Sequence, residues 1–170
     1  VVYPWIGCGK CAYCTTDREN LCSAPRNLGL QLDGGFSQYV IVPDAKYAVP
    51  AGTLPLEQAA PYACSGLTAY AALKKLAPMD PSETVLILGA GGVGLSGVRF
   101  CKHVLGISPI VADIDQAKWP LATDAGAAQT VDPSNPDTGK ALMKATGGGV
   151  HAVVDFVGTG ESFAFGFNAL

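Results

Sequence analysis

Apolar residues in this chain fall into short blocks of two periods, and the switch between them sets the expected architecture. At 85–88 four apolar residues run together, Val85, Leu86, Ile87 and Leu88, the pattern of a strand buried on both faces. Glycines follow at 89, 91 and 94, and the spacing over 93–105 predicts a helix. Pro109-Ile110-Val111-Ala112 reads as a second strand, ending in Asp113. A helix is expected over 117–125, with Pro120 in its first turn and Gly126 at its end. A strand over 129–132 is closed by Pro133, a helix over 138–145 is stopped by Gly147-Gly148-Gly149, and a fourth buried strand spans 152–157. Strands and helices in alternation predict an α/β fold on a parallel sheet with right-handed crossovers.

Ahead of the glycine strand the pattern is different. Residues 27–50 look all-β: Asp33-Gly34-Gly35 is a turn, 36–42 is an aromatic and β-branched strand, and 46–50 is a further extended piece. A helix is expected over 53–61, with Thr53 as its cap and Pro55 in the first turn. Alanine and leucine content predicts another over 67–73. The domain boundary is expected between 66 and 67, giving domains of 1–66 and 67–170.

Charge narrows the partners. Only 15% of residues are charged and the net charge is −3, which argues against nucleic acid or an anionic membrane, since both need a basic face. The longest apolar run, 85–98, is too short and too glycine-rich to span a bilayer. The N-terminus shows no signal-peptide pattern, so a cytoplasmic location is expected.

Two stretches carry chemistry. Gly89, Gly91 and Gly94 form G-x-G-x-x-G between a strand and a helix, the context that gives this motif meaning. Gly89 permits the sharp turn, Gly91 lets a pyrophosphate approach the backbone, and Gly94 lets helix and strand lie close. Asp113, about twenty residues on, can accept hydrogen bonds from both hydroxyls of an adenosine ribose and would repel a 2′-phosphate, which points to NAD rather than NADP. The second stretch holds Cys8, Cys11, Cys14 and Cys22, four of the six cysteines. Two C-x-x-C spacings and a closing thiolate suit a tetrahedral structural zinc. An iron–sulfur cluster or a disulfide pair is the alternative, but a ferredoxin run draws its fourth cysteine sooner and follows it with proline, where Ser23 stands here.

Taken together, the chain resembles the zinc-dependent medium-chain alcohol dehydrogenases. The resemblance rests on Gly7-Cys8-Gly9-x-Cys11-x-x-Cys14 with Asn20-Leu21-Cys22, on Gly34-Gly35-Phe36-Ser37-Gln38-Tyr39-Val40, on Ala60-Pro61-x-x-Cys64-x-Gly66-x-Thr68-Ala69-Tyr70, and on Gly89-Ala90-Gly91-Gly92-Val93-Gly94 with Asp113. It implies part of a GroES-like all-β catalytic domain with a zinc lobe, followed by a partial Rossmann domain. It further implies hydride transfer between an alcohol and NAD, giving an aldehyde or ketone, with zinc as Lewis acid. The site residues it implies are Cys8, Cys11, Cys14 and Cys22 for the structural zinc, Cys64 for the catalytic zinc, and Thr68 near the nicotinamide. Gly89, Gly91, Gly92, Val93 and Gly94 match the pyrophosphate loop, and Asp113 and Lys118 the ribose site. A small alcohol or carbonyl substrate and a homo-oligomer, dimer or tetramer, are implied as partners.

The departures are equally specific. The family takes another catalytic cysteine and a Gly-His-Glu segment from a region that would precede Val1, and neither His103 nor His151 substitutes for them. The chain therefore reads as an interior segment, expected to bind the cofactor and to turn over negligibly alone. Two other readings stand beside this one: a non-catalytic, zinc-stapled NAD-binding module, and an NADPH-dependent quinone reductase relative, against which the four-cysteine lobe and Asp113 both speak.

Overall fold

The computed structural model describes Val1–Leu170, which divides into two compact units, Val1–Ala63 and Cys64–Leu170. No helix is long and apolar enough to cross a membrane.

The second unit carries the regular structure. Its helices and strands alternate: α2 (Ser65–Lys74), β1 (Val85–Leu88), α3 (Gly92–Phe100), β2 (Ile110–Ala112), α4 (Trp119–Ala125), β3 (Gln129–Val131), α5 (Thr138–Thr146), β4 (Ala152–Asp155) and α6 (Gly160–Asn168). The strands form one parallel sheet of order β3-β2-β1-β4. β1 pairs with β2 through Leu86↔Ile110 and Leu88↔Ala112, and with β4 through Val85↔Ala152 and Leu88↔Asp155. Strand order therefore reverses beside β1, and such a sheet opens a crevice at the carboxyl ends of its strands where the order reverses.

Side-chain alternation divides the core between two faces. Val85 and Ile87 pack with Leu73, Val98, Cys101, Val111 and Ala122 on one side. Leu86 and Leu88 pack with Ile110, Leu142, Val150 and Ala169 on the other. All four residues of β1 are buried, as its uninterrupted apolar run predicts. α3 passes into a π-helical turn, Cys101–Leu105, which Gly106 ends in the left-handed conformation. Pro120 lies at the start of α4, where its missing N–H is harmless, and Gly126 closes that helix.

The apolar pattern of the sequence does not predict α6. Its N-terminus is a capping box: Thr159 Oγ1 accepts from the Ser162 amide and Ser162 Oγ accepts from the Thr159 amide. Phe163 and Phe167, one helical turn apart, stay exposed and stacked on one another, so the apolar pattern of the helix does not mark a buried face.

The first unit is irregular. It holds one short helix, α1 (Leu56–Ala59), several 3₁₀ turns and two isolated bridges, Val2↔Ala48 and Leu28↔Leu32. The helix expected over 53–61 starts late, because Pro55 is extended and stands outside it as the cap. The strand expected over 36–42 does not form. Phe36, Tyr39 and Ile41 are almost fully exposed, and β propensity yields a strand only where a neighbour supplies a ladder and a surface to pack on.

Candidate cofactor cleft and thiolate lobe

The glycine turn follows β1 directly. Gly89 has φ +93°, a left-handed conformation that a side chain resists, and its amide is held by the Ala112 carbonyl at 2.8 Å. A Cβ at Gly94 would run into the Gly89 carbonyl oxygen, so only glycine lets α3 start this close to the strand. Gly91 is different: a Cβ there would meet no protein atom within 4 Å and would stand in the open cleft. The first amides of α3, from Gly92 onward, lack carbonyl partners within the helix and sit at its positive end.

Asp113 meets this turn from the end of β2. It is buried, its Oδ2 accepts the Ala90 amide at 2.6 Å, and its Oδ1 accepts the Asp115 amide at 2.8 Å. Lys118 Nζ stands 3.9 Å from Asp113 Oδ1 and 3.4 Å from Asp115 Oδ2. Trp119 Nε1 donates to the Asp113 carbonyl, fixing the chain beyond the strand. Gly89, Gly91, Asp113 and Lys118 thus line one cleft of about 780 Å³, closed on its other side by Val157, Thr159, Ser162 and Phe165. That volume, the buried carboxylate and the open space over Gly91 fit an extended dinucleotide.

The far wall is invisible to motif reading. Asp155 ends β4, and its carboxylate accepts the Val157 amide at 2.8 Å and the Ser162 hydroxyl at 2.7 Å. Burial works against its charge, but the Ser162 hydroxyl and the Gly158 and Val157 amides outweigh it and hold the carboxyl below its usual range. The local signal that marks this wall is Thr159-x-x-Ser162 at a helix start.

Two glycine variants separate fold from ligand space. Gly94→Ala is expected to lower the melting temperature, since the turn must open at a cost of about 1–3 kcal/mol. Gly91→Ala is expected to leave the melt unchanged and weaken NADH binding severalfold, its methyl filling only ligand space. Thermal melts paired with NADH fluorescence titrations check both.

The cysteines gather as the spacing predicts. The Sγ atoms of Cys8, Cys11, Cys14 and Cys22 all lie within 4.8 Å of one another. Cys11 and Cys14 are 3.5 Å apart, and Cys8–Cys14 and Cys11–Cys22 are each 3.9 Å. Four sulfurs at zinc–sulfur distance around a tetrahedral ion stand roughly 3.8 Å apart, so the set fits zinc. The Cys8 and Ala24 amides point at Cys22 Sγ, at 3.3 and 3.4 Å, as donors to a thiolate do. The Lys10 and Cys11 amides lower the Cys8 thiol to about 6, the Cys14 amide lowers Cys11, and desolvation raises Cys14 to about 12. A dication among them would favour the thiolate at all four.

Beside the lobe, Glu19 accepts from Lys46 Nζ and Tyr47 Oη, both at 2.7 Å, and from the Gly7 amide at 3.1 Å. Those three donors, Lys46 foremost, hold its carboxyl down at about 2. No motif announced this group.

Cys64 and Thr68 stand apart from the cleft. Cys64 is the exposed N-cap of α2, and the Thr68 amide donates to its carbonyl at 2.9 Å, so the two share the first turn. Neither lines the cleft, and Cys64 belongs to no cluster of three or more metal-ligating side chains. His103 is exposed, and His151 Nδ1 is occupied in accepting from the Thr84 amide at 3.0 Å.

The chain is similar to known dehydrogenases. A family model described as zinc-binding dehydrogenase matches residues 92–170, and one described as the alcohol dehydrogenase GroES-like domain matches residues 1–53. An NAD-dependent alcohol dehydrogenase of Sulfolobus acidocaldarius is 41% identical over 160 residues, which is 94% of this chain and 46% of that protein. An alcohol dehydrogenase of Geobacillus stearothermophilus is 37% identical over 154 residues, 89% of this chain and 44% of its own length. Among solved structures, the Aeropyrum pernix alcohol dehydrogenase is 30% identical with a TM-score of 0.87, covering 100% of this chain and 51% of its own. The D-arabinose dehydrogenase of Sulfolobus solfataricus is 26% identical with a TM-score of 0.91, covering 100% of this chain and 54% of its own. The chain spans about half the length of the relatives it matches.

Proposed function

Because the chain belongs to the zinc-type medium-chain alcohol dehydrogenase family, we propose that it is part of an oxidoreductase that moves a hydride between an alcohol and NAD, interconverting the alcohol with an aldehyde or ketone. The observation that carries this reading is the buried Asp113 carboxylate facing the open glycine turn inside a dinucleotide-sized cleft. In that cleft the first amides of α3 would hold the pyrophosphate, and Asp113 with Lys118 would hold the adenosine ribose. Bound there, NAD supplies the hydride acceptor or donor. The wall of Val157, Thr159 and Ser162 would exclude water from the cofactor's other side.

The four-cysteine lobe is proposed as a structural zinc site, closed to substrate because every ligand position is a thiolate. Cys64 is proposed as a ligand of a second, catalytic zinc. Such an ion takes three protein ligands, and Cys64 alone does not make that site, so no step is assigned through it. Thr68, one turn on, is proposed to face the nicotinamide end of the cofactor. We further propose a cytoplasmic homo-oligomer acting on small alcohols or carbonyls, as the family resemblance implies.

The isolated Cys64 also favours a second reading, a zinc-stapled NAD-binding module without catalysis of its own. NADH titration of the 170-residue chain, with metal analysis and an alcohol-oxidation assay, tests both. Binding of NADH in preference to NADPH, about one zinc per chain and negligible turnover are expected of the chain alone. Failure to bind NADH would sink both readings. Robust alcohol oxidation by these residues alone would mean that the catalytic centre has been misplaced.

A further inference from the structure

We propose that Glu19 is a positioning residue of the thiolate lobe, holding both ends of the ligand loop in register. The proposal rests on the zinc reading of that lobe. Glu19 is not itself a ligand, since it lies outside the group of four sulfurs. Its side chain reaches one end of the loop: Oε2 accepts the amide of Gly7, the residue before Cys8, at 3.1 Å. Its own carbonyl reaches the other end, accepting the amide of Cys22 at 3.0 Å. One residue thus fixes where the first and the last ligand stand.

Packing reinforces that placement. A Cβ at Gly7 would lie 2.5 Å from Cys14 Sγ and 3.1 Å from the Glu19 Cβ, so Gly7 is seated directly between a ligand and Glu19. Glu19 is in turn anchored from a distant part of the chain. Lys46 Nζ and Tyr47 Oη each lie 2.7 Å from its carboxylate, and the Glu19 side chain is only 18% exposed. Tyr47 is buried and stacks on Tyr3, whose amide donates to the Tyr47 carbonyl at 2.8 Å. Four thiolates around a dication leave net negative charge, which would repel a bare carboxylate nearby. Lys46 offsets that charge, and this explains why the brace is an ion pair.

Metal release from the zinc-loaded 170-residue chain to a colorimetric chelator tests the proposal, with cobalt-loaded protein read by its d–d absorption. Glu19→Ala is expected to release zinc about tenfold faster, the usual scale for an outer-shell partner, and to shift the cobalt band. Glu19→Gln, which keeps an acceptor for Gly7, is expected to restore the band and part of the retention. Should Glu19→Ala not fold, Tyr47→Phe removes one of the donors to Glu19 and is expected to change release in the same direction by a smaller factor. NADH binding should be unchanged in every variant. Wild-type release rates and an unmoved cobalt band in the variants that fold would overturn the role of Glu19. A wild-type chain that takes up no metal would instead overturn the zinc reading itself.

Discussion

Stripping the lobe of metal with a strong chelator is expected to unfold much of Val1–Ala63 while Cys64–Leu170 stays folded. The asymmetry follows from the cores. In the first unit only Ile6, Tyr47 and Ala59 are buried apolar residues, whereas the second buries both faces of a parallel sheet. A unit with so little apolar burial depends on another source of stability, and a thiolate zinc supplies on the order of 10 kcal/mol in small domains. Hydrogen exchange gives the readout by position. The Arg26 amide, held by Ile6 O at 2.7 Å, and the Leu28 amide, held by Pro4 O at 3.0 Å, should lose protection when metal leaves. Amides of β1 and β2 should keep theirs. Equal loss in both units would show that the second unit also depends on the metal. No loss in either would show that the first unit stands on its small core.

The second large effect is expected at Asp113. Asp113→Ala removes a carboxylate that accepts two amides and leaves the buried Ala90 N–H without a partner. A hydrogen bond to a charged group is worth about 1.5–3 kcal/mol, so the melt should fall by several degrees and NADH binding should weaken well beyond tenfold. Asp113→Asn separates the two losses. It keeps an acceptor for Ala90 but turns an NH2 toward the Asp115 amide, so the melt should fall by less than in Asp113→Ala. It removes the charge that repels a 2′-phosphate, so the preference for NADH over NADPH should narrow. Parallel titrations with both cofactors measure it. An unaltered preference in Asp113→Asn would remove Asp113 from ribose recognition.

How far the sequence could be read depended on how local each signal was. β1 and its glycine turn are encoded in ten consecutive residues, and each cue there, apolar run, turn glycine and helix start, agrees with the others. The cysteine cluster was equally legible, because thiolate spacing within one loop is a local property. The stretch over 36–42 misled for the opposite reason: a strand is a statement about a partner, and its apolar residues find none. α6 carries a weak signal because its capping box closes on Ser162 rather than Glu or Gln, and because Phe163 and Phe167, one turn apart, stay exposed. The Glu19 brace joins residues 27 and 28 positions apart, and only the folded chain shows that Lys46 and Tyr47 converge on it.

The Asp113–Ala90 hydrogen bond has a thermodynamic meaning apart from recognition. It pins the glycine turn before any ligand arrives, so the entropy of ordering that turn is lost when the chain folds and not when the cofactor binds. Affinity is then linked to the stability of β1 and β2. A core change on their buried faces that frays the strand ends, such as Val111→Ala, would lower cofactor affinity without touching the cleft, by thinning the population in which the turn is formed.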